Sequence, residues 1–500
     1  MRLATIAAVL CAALLALAGT AAANTFNVTT TDDDIGSCDP GDCSIREALA
    51  AAQANPGDDT VNIPAGHYVL TNGALETDDL GNTTTIVGHS ARDTIIDANG
   101  QSRVYFINDG TVNLSHVTIT GGVASGNESF GSGEGGGIFF DGQHMTLDHV
   151  AVLGNKALAQ PDFGGQGGGV FAEEAMTITN SLVGGNTADG TGASFSGGQG
   201  GGIFGNEALT LTNVTVAGNV ALPADPNAQF SHSQGGGIFV NEFGTKFTHV
   251  TITGNQSTDT DPSGGLFIND DTTLVNSIVF GNTASGTPGD CTTNGIDTFT
   301  EQGVNLHGPG DCFSAAGDIT ADPQLGALAN NGGDTDTAAL AATSPAVDHA
   351  DAAHCVPTDQ RDLPRPALAG CDIGAFELQP PPPAPPAPPA AVKDTTKPKV
   401  TVAGVRAACV THTVAVRVHA SDASGVKSTR VTLDGKRIHT RNKTSFTLKI
   451  NVRKLKAGRH VLRITTTDGA GNTTSTRRTI TRCAKRAAKP RRRVAPRFTG

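Results

Sequence analysis

Short apolar runs recur along the first two thirds of the chain, with polar residues between them in a fixed phase. VNLSHVTITGG, MTLDHVAVLGN, MTITNSLVGGN, LTLTNVTVAGN, KFTHVTITGN and TLVNSIVFGN each place His or Asn shortly after a Leu, Ile or Phe, at His116, His149, Asn180, Asn213, His249 and Asn276. Six residues later comes Gly122, then Asn155, Asn186, Asn219, Asn255 and Asn282, and that step never varies. A Gly-rich element of the GGGIF type, beginning at Gly135, Gly167, Gly200, Gly235 and Gly264, precedes five of the six blocks; its last Gly lies 11 or 12 residues before the next His or Asn. Alternating Leu, Ile, Val and Thr predict short, half-buried strands.

The repeat runs from 27 to 36 residues, and the variation sits in one segment. Between the turn Asn and the end of the Gly element the gap ranges from 10 residues (Asn255 to Gly265) to 18 (Asn219 to Gly237). A constant strand frame with one elastic loop is the mark of a β-solenoid. Its coils stack about 4.8 Å apart, so residues of equal phase lie one above another. Asn tolerates the left-handed backbone of a tight turn and can pass amide hydrogen bonds up a ladder. The Gly triplets allow stacked backbones to approach closely. Weaker coils of the same type from Asp59 to Gly100 bring the expected total to about nine or ten.

The predicted fold class is therefore all-β: a right-handed parallel β-helix with an N-terminal capping helix, plus a small Ig-like β-sandwich. An open solenoid end exposes strand edges and core, and needs a cap. SIREALAAAQA, from Ser44 to Ala54, supplies one, with Ser44 and Glu47 as a capping box and Ile45, Ala48, Leu49 and Ala52 as an apolar face. Beyond the solenoid, Val414, Val416 and Val418 alternate, as do Phe446, Leu448, Ile450 and Val452, and Asp434-Gly435 is a hairpin signal. About seven short strands of this kind predict the sandwich.

The expected layout is a signal peptide over 1–23, a cap over 24–58, the β-helix over 59–321 and its C-terminal segment over 322–379. A Pro-rich spacer follows over 380–396, then the sandwich over 397–483 and a basic disordered tail over 484–500. Arg2, the apolar run Leu3 to Leu17 and Ala21-Ala22-Ala23 carry the signal-peptide reading, with Cys11 inside the run and not an anchor.

Several motifs resemble known families. CSIREALAAA resembles the CSLREA segment that opens a family of exported bacterial β-helix proteins, with Ile45 in place of the usual Leu. The GGGIF and GN repeats resemble those of polymorphic outer-membrane proteins and related β-helix adhesins. DPQLGALANNGGDTDTAAL, SPAVDHAD, DQRDLPRP and CDIGAFEL, from Asp322 to Leu378, resemble the choice-of-anchor Q segment. TDGAGN, at Thr467 to Asn472, is similar to a turn of bacterial Ig-like modules. The resemblance covers most of Thr25 to Leu378 and implies fold and export, not a particular activity.

Export implies an oxidising compartment. The eight cysteines after Cys11 fall in local pairs, so disulfides are expected at Cys38–Cys43, Cys291–Cys312, Cys355–Cys371 and Cys409–Cys483. No CxxC spacing is present, and no metal or cofactor is expected.

Charge divides the chain. Residues 1–390 carry 8 Lys/Arg against 43 Asp/Glu, net −35, whereas residues 391–500 carry 27 against 4, net +23. Two units with different partners are implied. The basic unit has few aromatics, which argues against nucleic acid and for an anionic cell-envelope polymer or membrane surface. Between Arg103 and Arg361 the only basic residues are Lys156 and Lys246, too few for a polyuronate lyase, and with no Trp and two Tyr there is little to stack sugars. If the chain were a carbohydrate-active enzyme on an extracellular glycan, Asp270 or Asp271 would be its acid. Otherwise Asp270-Asp271, like Asp78-Asp79, is a solvated coil edge, and the Asp32-Asp33-Asp34 run and the loop from Asp259 to Asp261 match no known calcium loop.

One loop strip is a candidate ligand surface. Phe130, Phe163, Phe195 and Phe230 fall four or five residues before a Gly triplet, and Glu134, Gln166, Gln199 and Gln234 immediately precede the same triplets. Stacked, they form a Phe column beside a Glu/Gln column. Either the Phe rings pin each loop to the solenoid, or the strip receives a glycan or peptide on a host or neighbouring surface. The His/Asn column at His116, His149 and His249 reads as a stacked hydrogen-bonding ladder, since Asn replaces His freely. The expected function is a monomeric, non-enzymatic adhesin or envelope-binding protein.

Overall fold

The computed structural model describes residues 22–126, 132–228, 231–242, 244–258, 263–295, 298–381 and 392–484. Phe130, Phe230, Asp259 to Asp261, almost all of the predicted signal peptide, most of the Pro-rich spacer and nearly all of the basic tail lie outside the described residues. The chain divides into two compact units, Met1–Pro381 and Pro382–Gly500.

The first unit is a parallel β-solenoid. Its strands form a 16-stranded sheet, a nine-stranded sheet and a seven-stranded sheet among the described residues, and the nine-stranded one counts about nine turns. Equal phase becomes equal position. Leu147 pairs with Leu114 on one side and Ile178 on the other, and Val183 lies between Val152 and Val216. Inward residues such as Met145, Val152, Ile178, Leu211 and Phe247 are wholly buried in one continuous core running from Val28 to Cys312.

Two turns shape each coil. At the first, His116, His149, Asn180, Asn213, His249 and Asn276 all have φ between 48° and 57°. This left-handed region disfavours β-branched residues but admits Asn and His, which is why those two types share the position. At the second turn the amide ladder forms. Asn155 Nδ2 donates to Asn186 Oδ1 (3.0 Å), Asn186 to Asn219 (2.9 Å), Asn219 to Asn255 (2.9 Å) and Asn255 to Asn282 (2.9 Å). Each Oδ1 also accepts the backbone N–H of the preceding Asn. The ladder ends on Asp290, whose Oδ1 takes both donors of Asn282. The Gly triplets fit against this column: a Cβ on Gly169 or Gly202 would lie within 3.0 Å of the neighbouring Asn amide and of the next coil's Gly carbonyl.

The N-terminal cap is as expected. Helix α1 (Ile45–Ala54) starts at a complete capping box between Ser44 and Glu47 and buries Ile45, Ala48, Leu49 and Ala52 over the end of the core. Strand β1 (Thr25–Asn27) pairs in parallel with Asp59–Ile63, extending the solenoid sheet beneath the helix.

From about Asp322 the chain adds no further coils. It folds back along the outer face of the nine-stranded sheet as a strap. In chain order Asp334 meets His116, Asp336 meets Arg92, Asp351 meets Asn276, Gln360 meets Thr215, Asp362 meets His149 and Ala375 meets Thr251, so the strap passes back and forth over the coils between Arg92 and Asn276. Its weight explains why the outward positions Ala151, Leu182, Thr215, Thr251 and Ile278 are buried. The strap holds its own shape through buried ion pairs. Arg365 binds Glu377 (3.0 Å, neither exposed), while Arg361 binds Asp359 (2.6 Å) and lies over the Phe376 ring at 3.7 Å. The motifs DQRDLPRP and CDIGAFEL are thus the two halves of one polar lock.

The second unit is an antiparallel sandwich of seven strands. Lys399–Ala403, Val414–Ser421 and Ser445–Ile450 form one sheet; Val426–Leu433, Lys436–Arg441, Gly458–Asp468 and Thr473–Arg482 form the other. Val416, Val431, Val452, Leu462 and Ile464 fill the space between. Asp434 and Gly435, at φ 48° and 82°, make the tight hairpin turn that their dipeptide signals.

All four disulfides form as the local pairing predicts: Cys38–Cys43, Cys291–Cys312, Cys355–Cys371 and Cys409–Cys483. Peptide mapping without reduction is expected to recover these four pairs and no others. Asn219→Ala would take the Asn219 donor from the buried Val183 carbonyl and the Asn219 acceptor from the backbone and side-chain N–H groups of Asn186. At about 1–3 kcal/mol for each buried polar group left unpaired, it is expected to cost at least about 3 kcal/mol in denaturant unfolding. Asn294→Ala, at an exposed end of another amide column, is expected to cost well under half of that.

Candidate functional site

The loop strip assembles on the described residues. Glu134, Gln166, Gln199 and Gln234 stack through parallel bridges, and their side chains continue the column: Gln166 Nε2 donates to Gln199 Oε1 (2.7 Å) and Gln199 to Gln234 (3.1 Å). All four are half-buried. Phe163 and Phe195 meet edge to face at 5.4 Å, and Phe163 is 54% exposed. Phe163 is a projecting ring, not a pin.

Sequence reasoning missed a second aromatic column. Phe106 and the Phe of each GGGIF-type element, at Phe139, Phe171, Phe204, Phe239 and Phe267, stack in one column with ring centroids 4.9–5.3 Å apart and planes within 20°. From Phe139 onward these rings are only 4–7% exposed, so they belong to the frame and offer no platform. Arg103 closes the N-terminal end, its guanidinium about 5 Å above Phe106 and Phe139. The signal was in the motif itself, since the Phe never changes phase. Beyond the Phe column runs another amide row: Asn206 donates to Glu173, Asn241 to Asn206, Asn269 to Asn241 and Asn294 to Asn269.

Carboxyl groups collect at the N-terminal end of these columns. Burial, then the Glu173 charge, pushes Glu134 up to about 7 against the opposing pull of Arg103. Burial and Asp141 raise Glu173 as well.

The other candidates do not converge. Asp270 Oδ1 accepts the N–H of Asp271 (2.6 Å), and Asp271 Oδ1 accepts the N–H of Thr298 in the next coil (2.8 Å). Each carboxylate is engaged by the backbone, Asp270 by its own neighbour and Asp271 by the next coil. Asp79 is buried, held by Asn82 and Thr84, and Asp78 is exposed. In the His/Asn column, His116 and His149 stack at 4.9 Å, but they bind Asp334 and Asp362 of the strap. Column and strap together make a docking seam.

The basic sandwich presents a different surface. Across its four-stranded sheet one row runs Arg437, Thr432, Arg463, Arg477, with Arg463 directly opposite Arg477. Arg430 stands in the adjoining row, and all four arginines are exposed. The unit has four carboxylates in all. Asp434 pairs with His460, and Asp394, Asp422 and Asp468 gather away from the row, within 4.8 Å of one another. No ion pair neutralises the arginine row among the described residues.

The Glu134 carboxyl leads to an expected pH response. Its folded-state value lies above the ordinary 4.5, so between about pH 4.5 and 7 the folded chain binds more protons than the unfolded one. Stability from this position is present below that window and is lost as pH rises through it. Glu134→Gln is expected to flatten the stability profile between pH 5 and 8, read from thermal unfolding at several pH values.

Residues 398–464 match the family described as bacterial Ig domain. No curated protein and no solved structure matches the chain. No helix among the described residues is long and apolar enough to cross a membrane. A parallel β-solenoid carrying disulfides and a bacterial Ig domain fits a surface or extracellular protein.

Proposed function

We propose that the chain is an exported, non-enzymatic binding protein whose basic sandwich holds an anionic cell-envelope polymer and whose solenoid displays a ligand strip. The observation that carries this reading is the pairing of Arg463 with Arg477. Like charges directly opposite on adjacent strands destabilise a sheet. No ion pair meets either guanidinium among the described residues, so an external anion would relieve the repulsion. Guanidinium groups grip phosphate and carboxylate with two parallel hydrogen bonds, and a row of them spaced by strand separation suits a repeating polyanion. The strip on the solenoid offers a projecting Phe163 beside a ladder of amides, chemistry suited to a glycan or an extended peptide.

The test uses the full-length protein and its Arg463→Ser/Arg477→Ser variant, sedimented with bacterial envelopes. At about 1 M salt the Debye length falls to about 3 Å, so bound wild-type protein is expected to be released there and retained at low salt. The double variant is expected to bind about tenfold or more weakly at low salt, each contact to an anionic surface being worth about 1 kcal/mol. Its thermal stability should be unchanged or slightly higher, because a repulsion has been removed. Equal sedimentation of variant and wild type would remove the arginine row from the contact.

A further inference from the structure

The last coil of the solenoid brings together three ligating side chains that no sequence motif marks. Glu301 lies in Phe299–Gln302, the final rung of the long sheet, and His307 in Leu306–His307, the final rung of the nine-stranded sheet. Asp318 sits beside Ile319, which bridges back to Leu306. One atom from each, two carboxylate oxygens and an imidazole nitrogen, lie within 4.8 Å of one another.

Each side chain is anchored on one side and left with an atom to offer. Glu301 Oε2 accepts the N–H groups of Ser314 and Ala315, both at 2.8 Å, whereas its Oε1 has no accessible surface and no hydrogen-bond partner. Asp318 Oδ1 accepts the N–H of Asn305 at 2.9 Å, its other oxygen lies 3.4 Å from the Asn305 amide, and the carboxyl faces Glu301. His307 Nδ1 lies 2.9 Å from the Gly308 carbonyl. A carbonyl only accepts, so Nδ1 carries a proton and Nε2 is the nitrogen that can bind a metal ion. The ring is 9% exposed and stacks on Phe313 at 3.9 Å, next to the Cys291–Cys312 disulfide.

We propose that Glu301, His307 and Asp318 form a site for a divalent transition ion, with Zn²⁺ as the best fit, that fastens the C-terminal end of the solenoid. A mixed imidazole and carboxylate set suits Zn²⁺, whereas Ca²⁺ takes six or more oxygens. Three protein ligands are what a four-coordinate Zn²⁺ uses when its last position is left to water. The Gly308 carbonyl and the Ser314, Ala315 and Asn305 amides are the outer partners that orient such ligands. Without a cation, two carboxylate oxygens this close repel each other unless they share a proton.

The experiment is calorimetric titration of ZnCl₂ into chelator-treated full-length protein, alongside Glu301→Gln, His307→Gln and Asp318→Asn. Exposed histidines such as His349 are the competing sites, so a His349→Ala variant is included. The expected result is one equivalent bound by wild type and by His349→Ala, with a higher thermal midpoint in both. Each ligand substitution is expected to weaken binding at least about 30-fold and to abolish that rise. Circular dichroism checks that the near-isosteric Asp318→Asn variant is folded. Absence of saturable binding to wild type would overturn the site in favour of a shared proton. Binding that survives in folded Asp318→Asn, or vanishes in His349→Ala, would place the ion elsewhere and overturn it equally.

Discussion

In-register stacking of parallel coils is the constraint on which the rest of this molecule depends. Once strands repeat at about 4.8 Å, every side chain meets its own counterpart above and below. Only residues that tolerate their own kind can occupy a column. Apolar residues do so inside the solenoid. Asn does so at the second turn, because an amide both donates and accepts, and the column from Asn155 to Asn282 satisfies its buried groups from coil to coil. Phe does so outside the long sheet, where offset rings add about 0.5–1.5 kcal/mol per pair beyond the area they bury. A charge stacked on itself would be driven neutral. The carboxyls that do share columns, Glu134 and Glu173, sit near the N-terminal end and are pushed up accordingly.

A solenoid built this way has two weak places: its ends and any apolar outer face. The first end is closed by helix α1. At the other, Asp290 terminates the amide ladder, and the last coil turns Glu301, His307 and Asp318 inward. The outer face of the nine-stranded sheet carries Ala151, Leu182 and Ile278, which water would not favour, and the strap covers it. The strap has little regular structure, so its backbone carbonyls need other donors. Arg365 meets this by binding the carbonyls of Asp372 and Gly374 while pairing with Glu377. Breaking such a pair leaves a bare buried charge, so the lock acts mainly to fix one conformation.

Function on this frame rests on what stacking leaves unsatisfied. Most of the solenoid's buried polar groups find partners in the neighbouring coil, and its surface carries a strip of amides with a projecting Phe163. The sandwich does the reverse. Its exposed sheet places guanidinium beside guanidinium, with no ion pair to either among the described residues.

The repeat, the all-β class, the capping helix, the sandwich and all four disulfides were legible in the sequence. Each depends on local signals or on a period, and a period survives in one dimension. The turn column was legible too, since His and Asn alternate where the backbone is left-handed. The strap was not. Its path depends on which outward residues of many different coils need cover, and contacts such as Gln360 with Thr215 or Asp334 with His116 link residues more than a hundred positions apart. For the same reason, the sequence could place Asp270 and Asp271 side by side but could not reveal that Asp271 is tied to the next coil. It also gave no hint that Glu301, His307 and Asp318 meet, because three different parts of the last coil deliver them. Sequence by itself determined the rung, because a rung is local; tertiary structure decided what lies against it, because parallel stacking and the returning strap bring together residues that share neither phase nor motif.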